Sequence, residues 1–195
     1  MKIIGTFLIA FWMYEDGVAT IVRMAAKIAS SLGFAASDII TAILMVQFIG
    51  FPAALGYNWF AKKVATKNAV LVAILGYVVI TFLGYLMTDI THFYILAALI
   101  GLFQGGIQSL SRSLFTRLVP PNKEAEFFGF YNMLGKFAAV VGPILVGWIT
   151  VLTGNPRAGI LSIVVLFIFG GLLLSRVDFK AVSYTHLTLP TIRSV

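Results

Sequence analysis

The sequence predicts an all-α membrane protein of six transmembrane helices, arranged as two three-helix units in a 3+3 inverted repeat. Three observations predict it. The 195-residue chain is 60% apolar and only 11% charged, with a mean hydropathy of +1.00. A soluble domain has roughly a quarter of its residues charged. Six apolar segments are separable, each near the roughly 20 residues that cross a bilayer, or longer with tilt. Polarity then recurs in the same order across the first three segments and the last three.

Taken in order, the first span covers about 3–28. A secretory leader would be short and end at a small-residue cleavage site; this run instead continues through Glu15 and Asp16 into more helix-compatible sequence. The second and third spans cover about 38–60 and 69–87, and the fourth, fifth and sixth about 93–118, 127–152 and 159–174. The connectors "SSLGF", "TDITH", "VPPNKE" and "TGNPR" carry turn residues. Spans one and four hold central polar groups, and spans three and six hold no charge. Spans two and five are intermediate, with Gln47 and Asn58 in one, Asn132 and Lys136 in the other. In transporters built from such repeats the site lies near the midplane on matching helices. The third helix of each unit is expected to face lipid. From about Val182 the stretch "VSYTHLTLPTIRSV" abandons the helical pattern. Residues 1–181 are therefore read as the transmembrane domain and 182–195 as a non-native or disordered tail, with a genuine cytoplasmic tail as the alternative.

Charge assigns the sides. Lys2, Lys62, Lys63, Lys67, Arg117, Lys123, Arg176 and Lys180 fall on one side; Arg23, Lys27 and Arg157 fall on the other. The richer side is cytoplasmic, with both termini inside. The net charge of +7 is read as this bias and not as a nucleic-acid footprint. The chain has no cysteine, which excludes disulfides, thiol catalysis and zinc-thiolate sites. Two histidines are too few for a histidine metal centre. Ser109, Ser111 and Ser113 have no histidine base nearby and read as helix-packing groups. No catalytic residue, metal or cofactor is expected, and the chain is not read as an enzyme.

The polar groups inside the spans are the candidate site. Gln104, Gln108, Ser111 and Arg112 fall at i, i+4, i+7 and i+8, on one face of span four. Lipid would penalise that face, so it should line a watery cavity or a helix interface. Gly101 and Gly105 form a GxxxG, with Gly106 beside it, which favours close helix packing. In span one, "YEDGVAT" places Glu15 and Asp16 near mid-membrane, pointing about 100° apart. Gly17 beside them could permit a local break. Either acid could bind a proton or substrate, or form an ion pair with Arg112, Lys136 or Arg23. Lys136 lies roughly 15 Å inside span five from Glu126, one turn after Asn132. It should pair with Glu15 or Asp16, or meet an anionic group on a substrate. Pro143 can kink the same span.

The segment from Gly101 to Lys136 also carries a resemblance. Its Gln-Gly-Gly, Ser-Arg-Ser and Pro-Pro-x-x-Glu-x-Glu-Phe-Phe-Gly elements resemble the vacuole-effluxer-like branch of the major facilitator superfamily. "YEDGV" resembles that branch's Tyr-x-Asp-Gly-Val element. Asp16, Gly17, Arg112, Glu124, Glu126 and Lys136 match the pattern position by position. The resemblance implies twelve spans in two six-helix halves, with this chain as the C-terminal half. A bacterial plasma-membrane location is expected. One departure stands out. Where the superfamily has a Gly-x-Leu-x-Asp-Arg-x-Gly loop, this chain reads "NWFAKKVATK"; Lys62 stands at the acid position, with Lys63 and Lys67 keeping the loop basic.

The functional expectation is a secondary transporter exporting a small polar solute, amino acids by family analogy, by alternating access. Glu15 or Asp16 would carry the proton. Gln104, Gln108 and Asn132 would bond the solute, and Arg112 or Lys136 would meet its carboxylate. On this reading Asp16→Asn abolishes proton-coupled flux and leaves folding intact. The implied partners are the bilayer, the solute, protons and an N-terminal six-helix half, or a second copy if the chain is complete. A non-transporting sensor or scaffold that kept the fold is the alternative.

Overall fold

The computed structural model describes residues 2–120 and 122–179. The tail expected over 182–195, and Lys180, lie outside the described residues. Eight helices form the six spans among the described residues: α1 (Lys2–Ser31), α2 (Ala36–Val64), α3 (Thr66–Tyr85), α4 (Ile90–Thr116), then α5 (Glu124–Phe137) with α6 (Val141–Thr153), and α7 (Pro156–Leu161) with α8 (Ile163–Arg176). Five of the six spans are apolar and long enough to cross a membrane by length and composition. The remaining one, α1, has 30 residues, but Glu15, Asp16, Arg23 and Lys27 interrupt its apolar run.

Contacts between helices follow a two-fold exchange. α2 lies along α4, while α5 and α6 lie along α1; α3 packs on α4, while α8 packs on α1; α3 and α8 meet each other. Exchanging the first three spans with the last three maps this pattern onto itself, which is the 3+3 arrangement expected from polarity. The aromatic contact between Tyr77 of α3 and Phe167 of α8, 5.6 Å apart, lies where the units meet. The outer faces of α3 and α8 are apolar and exposed, with Val72, Leu75, Val79, Val165, Ile168 and Phe169. The least buried spans, however, are α2 and α5–α6. Phe48, Phe51 and Trp59, and Phe137, Trp148 and Val151, stand exposed along them.

Two details differ from the sequence reading. Span one does not break at Gly17. Instead the Phe167 ring presses there, 2.9 Å from where a Cβ would stand. The break falls in span five, between Phe137 and Val141, with Ala139 at φ 82°. Pro143 explains its place. Proline has no N–H and its ring clashes with the carbonyl four residues back, here that of Ala139. The sixth span begins earlier than expected, at Pro156, because the Asn155 side chain accepts the Arg157 N–H at 2.9 Å and proline suits a first helical turn.

The GxxxG reading bears on the α2–α4 contact. A Cβ on Gly105 would overlap the Gly50 carbonyl, and one on Gly101 would lie 2.9 Å from the Val46 carbonyl. Small residues let two backbones approach. Gly105→Leu is therefore expected to cost about 2 kcal/mol or more by forcing α2 away from α4. A lowered Tm in detergent checks it; an unchanged Tm would mean the contact is not tight.

At the start of α4, Asp89 caps the helix by accepting the N–H groups of Thr91 at 2.8 Å and His92 at 3.0 Å. The His92 backbone N–H chiefly holds this carboxyl below its ordinary range. Because the folded value is lowered, the cap's contribution is complete above the unfolded carboxylate range. It is lost as pH falls through the folded value. Asp89→Ala should thus lower Tm slightly at neutral pH, and the two proteins should converge in strong acid. A difference that persisted in strong acid would contradict the capping account.

Candidate functional site

Span four and span five bring their polar residues together against α1. A cavity of about 430 Å³ is lined by Glu15, Gln108, Arg112, Asn132 and Lys136, with Phe11, Tyr131 and Gly135 completing its wall. Helical spacing accounts for each contribution. Phe11 and Glu15 are four apart on α1, Gln108 and Arg112 four apart on α4, and Asn132 and Lys136 four apart on α5. α1 and α4 each present two residues, and α5 presents four, Tyr131 and Gly135 being likewise four apart. Tyr131 fixes the wall: its ring stacks on Phe11 at 4.2 Å and on Phe115 at 4.7 Å. The Arg112 guanidinium sits 5.6 Å over Phe128, a cation–π contact that leaves its donors free. One Glu15 carboxyl oxygen, Oε2, is buried with no hydrogen-bond partner among the described residues. Gln108 lies beside that carboxyl on the cavity wall.

No acid lies within 4.0 Å of Arg112 or Lys136 among the described residues. Of the two alternatives the sequence left open, the ion pairs between these cations and Glu15 or Asp16 are not formed. Arg23 and Lys27, on the Asp16 side of α1, are exposed and likewise unpaired among the described residues. Asp16 is otherwise engaged. It is 1% exposed and does not line the cavity. Its carboxylate accepts the backbone N–H groups of Ala139 at 2.7 Å, Val141 at 2.9 Å and Gly142 at 3.0 Å, and the Thr20 hydroxyl at 3.3 Å. These are the amides freed by the break in span five. A carboxylate at the start of α6 meets both the orphan donors and the positive end of the helix dipole. Gly142 is small because a Cβ there would overlap the Thr20 hydroxyl. Asp16 thus pins the break, and with it the end of α5 that carries Lys136.

The face expected on span four divides. Gln108 and Arg112 reach the cavity, whereas Ser111 is fully buried and accepts the Tyr14 hydroxyl at 2.7 Å while donating to the Ile107 carbonyl at 2.6 Å. Gln104 lies outside the cavity lining, and its Oε1 is buried without a partner among the described residues. Gly106 faces the Tyr57 ring, which a Cβ would overlap. Glu124 and Glu126 occupy the first turn of α5, where negative charge suits the helix dipole. In the basic loop, Lys67 donates to the Ser175 carbonyl at 2.6 Å and the Val177 carbonyl at 2.8 Å, closing the end of α8. Lys63 lies 3.7 Å over the Trp59 ring.

Sequence reasoning missed Phe11 and Tyr131 as wall residues. Phe11 was open to inference, one turn before Glu15. Tyr131 adjoins Asn132, but only the fold shows that its ring is held between Phe11 and Phe115.

Comparison with known proteins bears on this arrangement. The sequence model of a family described as "Vacuole effluxer Atg22 like" matches residues 1–183. An uncharacterised MFS-type transporter, YxiO, of Bacillus subtilis is 38% identical over 169 residues, 87% of this chain and 40% of that protein. Autophagy-related protein 22-1 of Aspergillus niger is 32% identical, over 89% of this chain and 31% of that protein. Autophagy-related protein 22 of Coccidioides immitis is 29% identical, over 91% of this chain and 32% of that protein. The chain thus spans about a third to two fifths of the length of these relatives.

Proposed function

The chain belongs to the vacuole effluxer Atg22-like family of membrane transporters, and from that premise we propose that it forms one half of a secondary active transporter exporting a small polar solute by alternating access. The cavity with one acid and two unpaired cations carries this reading. Charge inside a membrane-spanning segment is costly and needs a use. Arg112 and Lys136 are free to receive a carboxylate. Glu15 is free to receive an ammonium group or a proton. Gln108 and Asn132 offer neutral hydrogen bonds between them. This charge pattern suits an amino acid, and the family's description as a vacuole effluxer supports a transport role. Asp16 acts one step removed, by holding the end of α5 in place.

The exposed apolar faces of α2 and α5–α6 support a partner half, either an N-terminal six-helix unit or a second copy. The lysine and arginine distribution supports cytoplasmic termini, and the similarity to a Bacillus subtilis protein supports a bacterial plasma membrane.

The test is reconstitution. The complete reading frame of the source locus is placed in proteoliposomes, and labelled amino acids are followed across the membrane with and without a pH gradient. Gradient-dependent movement is expected. Amino-acid-dependent stabilisation without movement would contradict transport and leave a sensor.

A further inference from the structure

A second cavity, of about 610 Å³, opens where α2 ends, α3 begins and α4 ends. Asn58, Lys62, Ala65, Thr66, Ser113 and Arg117 line it. It shares no lining residue with the solute cavity. Every polar side chain on its wall can donate a hydrogen bond, and none is a carboxylate.

Those donors are largely uncommitted. The Arg117 guanidinium donates one hydrogen bond, to Thr66 Oγ1 at 3.1 Å, and has no acid within 4.0 Å among the described residues. Thr66 is 8% exposed and accepts that bond, which leaves its own hydroxyl hydrogen to give. Lys62 and Asn58 have no side-chain partner among the described residues. Ser113 differs from its neighbours on α4. Ser109, Ser111 and Thr116 each donate to a backbone carbonyl of their own helix, and Ser113 does not. The first amides of α3 add to the set, because Ala65 at its N-terminus has no side chain to cap them.

We propose that this cavity binds a phosphate-type oxyanion between Lys62 and Arg117. Two like charges facing one cavity repel, and an anion between them removes that cost. An oxyanion with several acceptor oxygens also matches a wall that carries only spare donors: a guanidinium fork, an ammonium, two hydroxyls and an amide. The cavity lies at the ends of α2 and α4 and the start of α3, and basic side chains at the ends of spans meet lipid headgroups. The same chemistry is available from an anionic phospholipid or from free phosphate.

The test uses the purified chain in neutral detergent, with Tm as the readout. Three probes are compared at matched ionic strength: phosphatidylglycerol, sodium phosphate and phosphatidylcholine. Saturating phosphatidylglycerol is expected to raise Tm by about 3 °C or more, and phosphatidylcholine should not. A matching rise with sodium phosphate assigns the site to free oxyanions as well. A rise with phosphatidylglycerol alone assigns it to the lipid. Lys62→Gln, which alters an exposed and unpartnered side chain, should weaken the half-saturating concentration about tenfold. The double variant Lys62→Gln, Arg117→Gln should lose the shift, while Lys63→Gln, outside the cavity, should keep it. The proposal is overturned if neither anionic probe raises Tm, if phosphatidylcholine does so equally, or if the double variant responds like the unaltered protein. Loss of transport with this shift intact would count against the solute cavity only.

Discussion

Replacing Asp16 by alanine is expected to destabilise the protein by on the order of 3 kcal/mol or more, although the residue touches no solute. The carboxylate accepts three backbone N–H groups at the break in span five, all within 3.0 Å. Hydrogen bonds to a charged group contribute more than neutral ones, and a buried donor left unpaired costs its full desolvation. Asp16→Asn should behave in the same direction. An amide keeps one acceptor oxygen but turns an NH₂ group toward donors, so at least one backbone N–H loses its partner. This reverses the expectation drawn from the sequence, in which the asparagine variant folds normally. Thermal unfolding in detergent followed by far-UV circular dichroism decides it. Both variants should melt well below the unaltered protein. A Tm equal to that of the unaltered protein would show that the break does not depend on this carboxylate.

Glu15→Gln is expected to leave the fold intact and abolish gradient-driven accumulation. The substitution keeps the shape of the side chain and removes only its charge and its proton. Glu15 makes no ion pair among the described residues, so no cation is orphaned by the change. Tm should therefore stay within about 2 °C of the unaltered value, while uptake driven by a pH gradient falls to the level of protein-free vesicles. Passive exchange of solute should survive in part. Arg112→Ala and Lys136→Ala should act differently, each weakening apparent solute affinity by roughly 10- to 100-fold, as expected for loss of a charge-assisted hydrogen bond. If Glu15→Gln accumulates solute normally, the coupling proton is carried elsewhere.

Much of this was legible in the sequence, and the reasons are specific. Six spans could be seen because apolar length and turn residues are local signals. The pairing of spans into two units could be seen because charge is absent from spans three and six and present in spans one and four. The cavity residues Glu15, Gln108, Arg112, Asn132 and Lys136 could be picked out because charge and amide groups inside an apolar run are conspicuous. What could not be seen was where each one points. Glu15 and Asp16 are adjacent, yet one lines the cavity and the other serves backbone amides more than 120 residues away. Asp16 meets its partners through backbone groups, which have no sequence signature of their own. Pro143 signalled a disturbance in span five, but not that the freed amides would be met from span one. Gly17 shows the opposite error. A glycine beside two acids suggested flexibility, and its use here is to admit the Phe167 ring.

The most direct measurement uses the absence of cysteine from this chain. A single Asn132→Cys substitution places one thiol on the cavity wall. Its reaction with a membrane-impermeant maleimide is followed in proteoliposomes, with and without an amino-acid mixture as the probe. If the cavity is the solute site of a transporter, the thiol reacts, the probe slows the reaction, and a pH gradient changes the side from which reagent reaches it. A thiol that reacts at the same rate with and without the probe, from one side only, would contradict the account.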